Sequence, residues 1–141
     1  MTVTQILRQD QIITAFLVRR LVSEQVDLHT SALCLVELAG IFQRHIREQG
    51  LTKSQALRLR GAFLEDVEGG VWTLLPVSDG VLRNVEAAVR NLPRHVYLRA
   101  GDAIHLVSAR DAGFSVIWSN DRHLIGAARY FGLRGRSIAA H

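Results

Sequence analysis

The sequence has one cysteine, Cys34, one lysine, Lys53, and two tryptophans. A single thiol forms no internal disulfide, which points to a reducing, cytoplasmic setting. No apolar run approaches the roughly 20 residues that a helix needs to cross a bilayer, so a membrane span is excluded. The N-terminus has no basic flank followed by an apolar core, and a secretory signal is not expected. Two tryptophans and five phenylalanines leave few aromatics for stacking platforms. Internal repeats, low-complexity tracts and linkers are also lacking.

What is present is globular. The 141 residues fit one ordinary domain, so residues 1–141 are read as a single domain. Hydrophobic residues at 48% and charged residues at 21% exclude intrinsic disorder and coiled coil. Lys+Arg is 17 against 13 for Asp+Glu, a net charge of +4, and every cation but Lys53 is an arginine. A positive surface attracts polyanions, and the guanidinium fork grips phosphate as an ammonium does not. Arginine bias also follows genome composition, so charge points toward nucleic acid without deciding it.

Helix and strand patterns alternate with short joins, which predicts an α/β fold with a mostly parallel sheet. Ile6, Ile13, Phe16, Leu17 and Leu21 form one stripe of a helix over Gln5–Glu24. A strand is expected from Val26 to Leu33. A helix follows from about Leu35 to Gln49, with Leu35, Leu38, Ile41, Phe42 and Ile46 inward and Gly50 as its stop. Thr52 with Gln55 makes a capping box for a helix to Glu68, and Gly69-Gly70 breaks it. Val71–Val77 reads as a strand. Ser78 caps a helix that buries Leu82, Val85, Val89 and Leu92 and ends before Pro93. A helix over Leu98–Ala112 turns Ala100, Ala103, Ile104 and Val107 inward. Ser115–Trp118 reads as a strand, a helix runs on to Phe131, and Arg136–Ala139 is a last edge strand.

Three carboxylates depart from polar helix faces. Glu37 follows the first of these strands, in the first turn of a helix. Asp102 borders an apolar stripe. Asp121 follows Val116-Ile117-Trp118 through the small polar pair Ser119-Asn120. In open parallel sheets, ligands bind at the carboxyl ends of strands, where Glu37 and Asp121 fall; Asp102 joins them if its helix starts at the same rim. Two carboxylates about 5 Å apart repel by roughly 3 kcal/mol at an effective dielectric of about 20. A hard divalent cation, Mg²⁺ or Mn²⁺, neutralises such a cluster, and it can polarise a phosphoryl group and activate water. The same acids also suit plainer work: Glu37 and Asp121 at helix N-termini, and Asp102 beside Arg99.

The segment Leu98-Arg99-Ala100-Gly101-Asp102-Ala103-Ile104-His105-Leu106, followed by Val116-Ile117-Trp118-Ser119-Asn120-Asp121-Arg122-His123-Leu124, resembles the C-terminal half of a PIN domain. More narrowly, it resembles the VapC toxins of bacterial toxin–antitoxin pairs. Thr30-Ser31-Ala32-Leu33 leading into Val36-Glu37-Leu38 resembles that family's second strand and acidic helix start. The resemblance implies a three-layer α/β/α fold and metal-dependent cleavage of RNA. Glu37, Asp102 and Asp121 match three metal-binding, catalytic acids. Ser119 and Asn120 match the polar positions that shape the last acidic corner. The resemblance also implies a cognate antitoxin as partner and a homodimer.

The family's chain opens with a strand ending in an aspartate that is a central ligand. Here Met1-Thr2-Val3-Thr4-Gln5 enters a helix directly. Asp10 lies mid-helix, and Asp27 belongs to a segment already needed as the second strand. The expectation is therefore a domain lacking its first strand: either an N-terminally incomplete enzyme, or a decayed PIN domain that binds antitoxin or RNA without catalysis.

Of the remaining candidates, Arg99 and Arg122 lie closest in sequence to the acids and are expected to contact RNA phosphates. Arg44, Arg47, Arg58, Arg60, Arg90 and Arg94 are equally well read as solvated helix faces. His105 is read as a buried or interfacial histidine and His123 as an exposed one. No histidine pair has zinc-ligand spacing. Cys34 is read as core packing. A receiver-type phosphoacceptor needs a lysine beside its acids, and Lys53 sits in a capping turn.

Overall fold

A computed structural model describes residues 28–137. The helix expected over Gln5–Glu24, Asp10, Asp27 and residues 138–141 lie outside them, as does the question of a first strand.

β1 (Leu28–Ser31) is followed by α1 (Cys34–Arg47), α2 (Lys53–Glu68) and β2 (Trp72–Leu75). α3 (Asp79–Arg90), α4 (Ala100–Asp111) and β3 (Val116–Trp118) come next, then α5 (Arg122–Ala127), a 3-10 turn (Ala128–Phe131) and β4 (Arg134–Arg136). β1 pairs parallel with β2, from Leu28 opposite Trp72 to Ser31 opposite Leu75. β3 pairs parallel with β4, from Val116 opposite Arg134 to Trp118 opposite Arg136. Among the described residues these are two separate pairs. Parallel pairing demands a crossover between partners, and the intervening helices supply it. The expected α/β class with parallel strands is the observed one.

The capping signals act as the sequence predicts. Thr52 Oγ1 accepts from Gln55 N, while Gln55 Oε1 accepts from Thr52 N. Ser78 Oγ accepts from Val81 N at the start of α3. The end of α1 differs from expectation. Gln49, not Gly50, takes the left-handed conformation, at φ 62°. Gln49 N donates to Ile46 O and Gly50 N to His45 O, the paired bonds that close a helix in this way. Gly50 lies one position later, packed so close to His45 that an added Cβ would meet its Nδ1 at 3.3 Å.

Two apolar faces, those of α1 and α3, keep most of their expected residues but differ from expectation in part. On α1, Cys34, Leu38 and Ile41 are buried, while Leu35 is 43% exposed. On α3, Val85 is buried with Val81, Ala88 and Leu92 packed around it, whereas Leu82 and Val89 are exposed. Both stripes keep helical spacing but start one residue away from the bulkiest side chains, so an alanine or a cysteine takes the inward place. α4 is buried on almost every side, from Asp102 and Ala103 through His105 to Ala109, while Ala100 at its start is exposed. A helix enclosed this way shows no clean amphipathic stripe. Leu106, Val107, Ile117, Leu124 and Ala128 form the main core around it. A smaller cluster joins Leu28 and Trp72 to Phe63 and Val67 of α2. The last strand starts two residues earlier than expected, because Arg134 N already donates to Ser115 O. Its Arg-Gly-Arg sequence carries no apolar alternation to mark it.

Candidate active site

Two of the three acids follow directly from strand ends. β1 stops at Ser31, whose Oγ accepts from Leu33 N and turns the chain into α1. This puts Glu37 in the first turn of α1. β3 stops at Trp118. The buried Ser119 hydroxyl accepts from Asp121 N at 2.9 Å. Asp121 is the N-cap of α5, and its Oδ1 accepts from His123 N at 2.8 Å and Leu124 N at 3.3 Å. Asp121 thus performs the helix-capping role open to it from sequence, and the same bonds fix the direction of its carboxylate.

The two acids face one open hollow of about 720 Å³. Glu37, Ile41 and Arg44 reach it from one face of α1, at the four- and seven-residue spacing that stacks helical side chains. Arg99 comes from the start of α4, and Asn120, Asp121, Arg122 and His123 from the loop and first turn of α5. Two carboxylates are therefore rimmed by three arginines. Asn120 Oδ1 accepts from the Ser137 hydroxyl at 3.4 Å, which ties the corner to the chain after β4.

Asp102 sits behind this surface, 1% exposed in the first turn of α4. Its helix does begin at the same rim. A Cβ added to Gly101 would lie 3.9 Å from Glu37 Oε2. The Arg99 guanidinium is held above its ordinary pKa first by the Tyr97 hydroxyl, and the Asp102 and Asp121 carboxylates act in the same direction. Arg99 therefore senses both acids. His105, one turn after Asp102 and wholly buried, binds Glu37 through Nε2 and Oε1. A carboxylate only accepts, so Nε2 carries the proton. This contact across 68 residues of sequence joins α4 to α1, and it gives the buried histidine expected at this position a specific acidic partner.

The donor set fits a hard cation chemically, since all three acids offer carboxylate oxygen. Their placement is less complete: among the described residues, no three His, Cys, Asp or Glu side chains stand close enough together to hold a metal ion. Glu37 and Asp121 share the hollow, and Asp102 stays in the core beside it.

The family model of the PIN domain matches residues 6–130. The chain belongs to the PIN domain family. No curated protein matches it significantly. No solved structure does so either. PIN domains are in general nucleases, often of toxin–antitoxin systems, that bind RNA and use divalent metal ions. Among the described residues no helix is long and apolar enough to cross a membrane.

Within this PIN domain the sequence-named residues divide clearly. Glu37, Asn120, Asp121, Arg99 and Arg122 line the hollow, and Ser119 supports it from within. Of the more weakly favoured arginines, Arg44 also lines it, whereas Arg90 pairs with Glu86 on α3 and Arg58 of α2 lies by Leu59 and by Leu51 ahead of that helix. His123, read as an exposed histidine, is exposed and lines the hollow as well. Cys34 is fully buried, and burial, reinforced by the Glu37 carboxylate, pushes its thiol up to about 12. It is a packing residue, as expected. The sequence reading missed Tyr97, whose ring packs on His123 and whose hydroxyl accepts from Arg99.

Proposed function

We propose that this PIN domain is a metal-dependent endoribonuclease and the toxin component of a toxin–antitoxin pair. The observation that supports it is the hollow lined by Glu37 of α1, Asp121 at the start of α5, and Arg44, Arg99 and Arg122. Glu37, Asp102 and Asp121 are the residues that would hold Mg²⁺ or Mn²⁺. When bound, such an ion supplies Lewis-acid polarisation of a phosphodiester and lowers the pKa of water.

The chain's own residues do the remaining work. The arginine rim holds backbone phosphates without reading bases. Ser119 and the α5 amides aim Asp121. His105 fixes Glu37 against α4. No protein nucleophile is required. The reading extends to one domain over residues 1–141, cytoplasmic, homodimeric and capped by a cognate antitoxin.

A second reading is a PIN domain that binds antitoxin or RNA without catalysis. The burial of Asp102 and the lack of a closed three-acid cluster among the described residues favour it. Titrating Mn²⁺ into the purified protein with labelled RNA separates the two. The nuclease reading expects cleavage that rises with Mn²⁺, ceases with chelator and is lost in Asp102→Asn. Absence of cleavage, together with a melting temperature indifferent to Mn²⁺, rejects it. Co-purification of a small antitoxin, unaltered by Asp102→Asn, would then favour the binding protein.

A further inference from the structure

The hollow's arginines account for phosphate, but one feature at its edge serves another chemistry. Residues 96–99 lead into α4 outside any helix or strand, with Arg99 extended at φ −78° and ψ 151°. Val96 and Leu98 pack against the main core, while the alternating Tyr97 and Arg99 are exposed. Tyr97 is 55% exposed. Its ring lies 4.7 Å from the His123 ring, centroid to centroid, at an interplanar angle of 59°. Its hydroxyl accepts from Arg99 Nε at 3.4 Å. Arg99 and His123 both line the hollow. A large aromatic surface is thus left in water, held on two sides by residues of the candidate site. In a tilted pair neither ring covers the other's whole face, so aromatic surface remains open beside the arginine rim.

We propose that Tyr97 and His123 form a nucleobase platform that takes an unstacked base of single-stranded RNA while Arg99 and Arg122 hold the adjoining phosphates. The proposal rests on the ribonuclease reading above and adds to it the two side chains that seat a base. Three features carry it. Unpaired bases stack on tyrosine and histidine faces, whereas a duplex keeps its base faces internal. A platform next to a cationic groove is how single strands are held without sequence readout. Arg99 donates to the Tyr97 hydroxyl and also lines the hollow, so one side chain links base-binding and phosphate-binding surfaces.

The test compares two labelled strands of about eight nucleotides, oligoadenylate and an abasic strand of equal length, in chelator so that neither is cut. The full chain and its Tyr97→Ala and Tyr97→Phe variants are titrated by fluorescence anisotropy. The platform expects the full chain to prefer oligoadenylate over the abasic strand about ten-fold. Tyr97→Ala should bring that ratio near one, and Tyr97→Phe should retain it. No preference in the full chain, or a preference that survives Tyr97→Ala, overturns the platform and leaves the ribonuclease reading standing. Failure of the full chain to bind either strand removes both. Circular dichroism of the variants confirms the fold, which an exposed ring at position 97 does not support from within.

Discussion

His105 shows how much one buried side chain decides in this site. Its Nε2 proton serves Glu37, and no solvent reaches the ring to replace it. His105→Leu removes the donor while keeping similar bulk. The loss expected is that of a hydrogen bond to a charged group, about 1.5–3 kcal/mol, read from urea unfolding. His105→Gln keeps an N–H donor and should lose less. Equal stability of both variants and the parent would show that the contact contributes nothing. Cys34 gives a second residue-scale prediction, this time in pH. Its thiol is raised from 9.0 to about 12 in the folded chain, first by burial and then by Glu37. Between those values the unfolded chain loses the proton and the folded chain keeps it. The stabilisation is therefore complete below pH 9 and is lost as the pH rises toward 12. The parent should lose up to about 1.4 kcal/mol per pH unit in that window relative to Cys34→Ala. Urea titrations of both proteins at pH 8 and pH 10 check the difference, and parallel behaviour would rule it out.

At the scale of elements, local chemistry was readable and close approach was not. Thr52-Gln55 and Ser78 mark helix starts because their bonds lie within four residues of sequence. Glu37 and Asp121 were legible for the same reason, each being a fixed short step beyond a strand. The first inward positions of α1 and α3 were not, since choosing between Leu35 and Cys34, or Leu82 and Val81, depends on what packs against the helix. Tyr97 had a weak signal in the Val96-Tyr97-Leu98-Arg99 alternation, but the helix expected from Leu98 masks it; α4 in fact starts at Ala100. Gly135 had none. In β4 it lies so near α5 that an added Cβ would meet Ile125 Cα at 2.8 Å and Ile125 O at 2.9 Å. These are backbone atoms and cannot swing aside. Gly135→Ala should therefore cost about 1–3 kcal/mol, as overpacking does, and displace the helix that Asp121 caps. Urea unfolding and RNA cleavage should both decline. An unchanged midpoint would mean that β4 and α5 separate without penalty.

Across the whole molecule, charge is arranged rather than merely in excess. Of the arginines that give the chain its net +4, Arg44, Arg99 and Arg122 share one hollow with two acids. The acids repel a phosphate backbone and the arginines attract it, so affinity for RNA should depend on their balance and on salt. Three phosphate contacts to a single strand predict that log K falls with log[salt] with a slope of about −2, from roughly −0.7 per contact. Each of Arg44→Ala and Arg122→Ala should flatten that slope by about 0.7, regardless of base sequence. Arg90→Ala should leave it unaltered, because Arg90 pairs with Glu86 and does not line the hollow. The measurement is a set of binding isotherms in chelator between low and moderate salt. A slope reduced equally by all three substitutions would assign RNA attraction to net charge alone and leave the arginine rim without a special role.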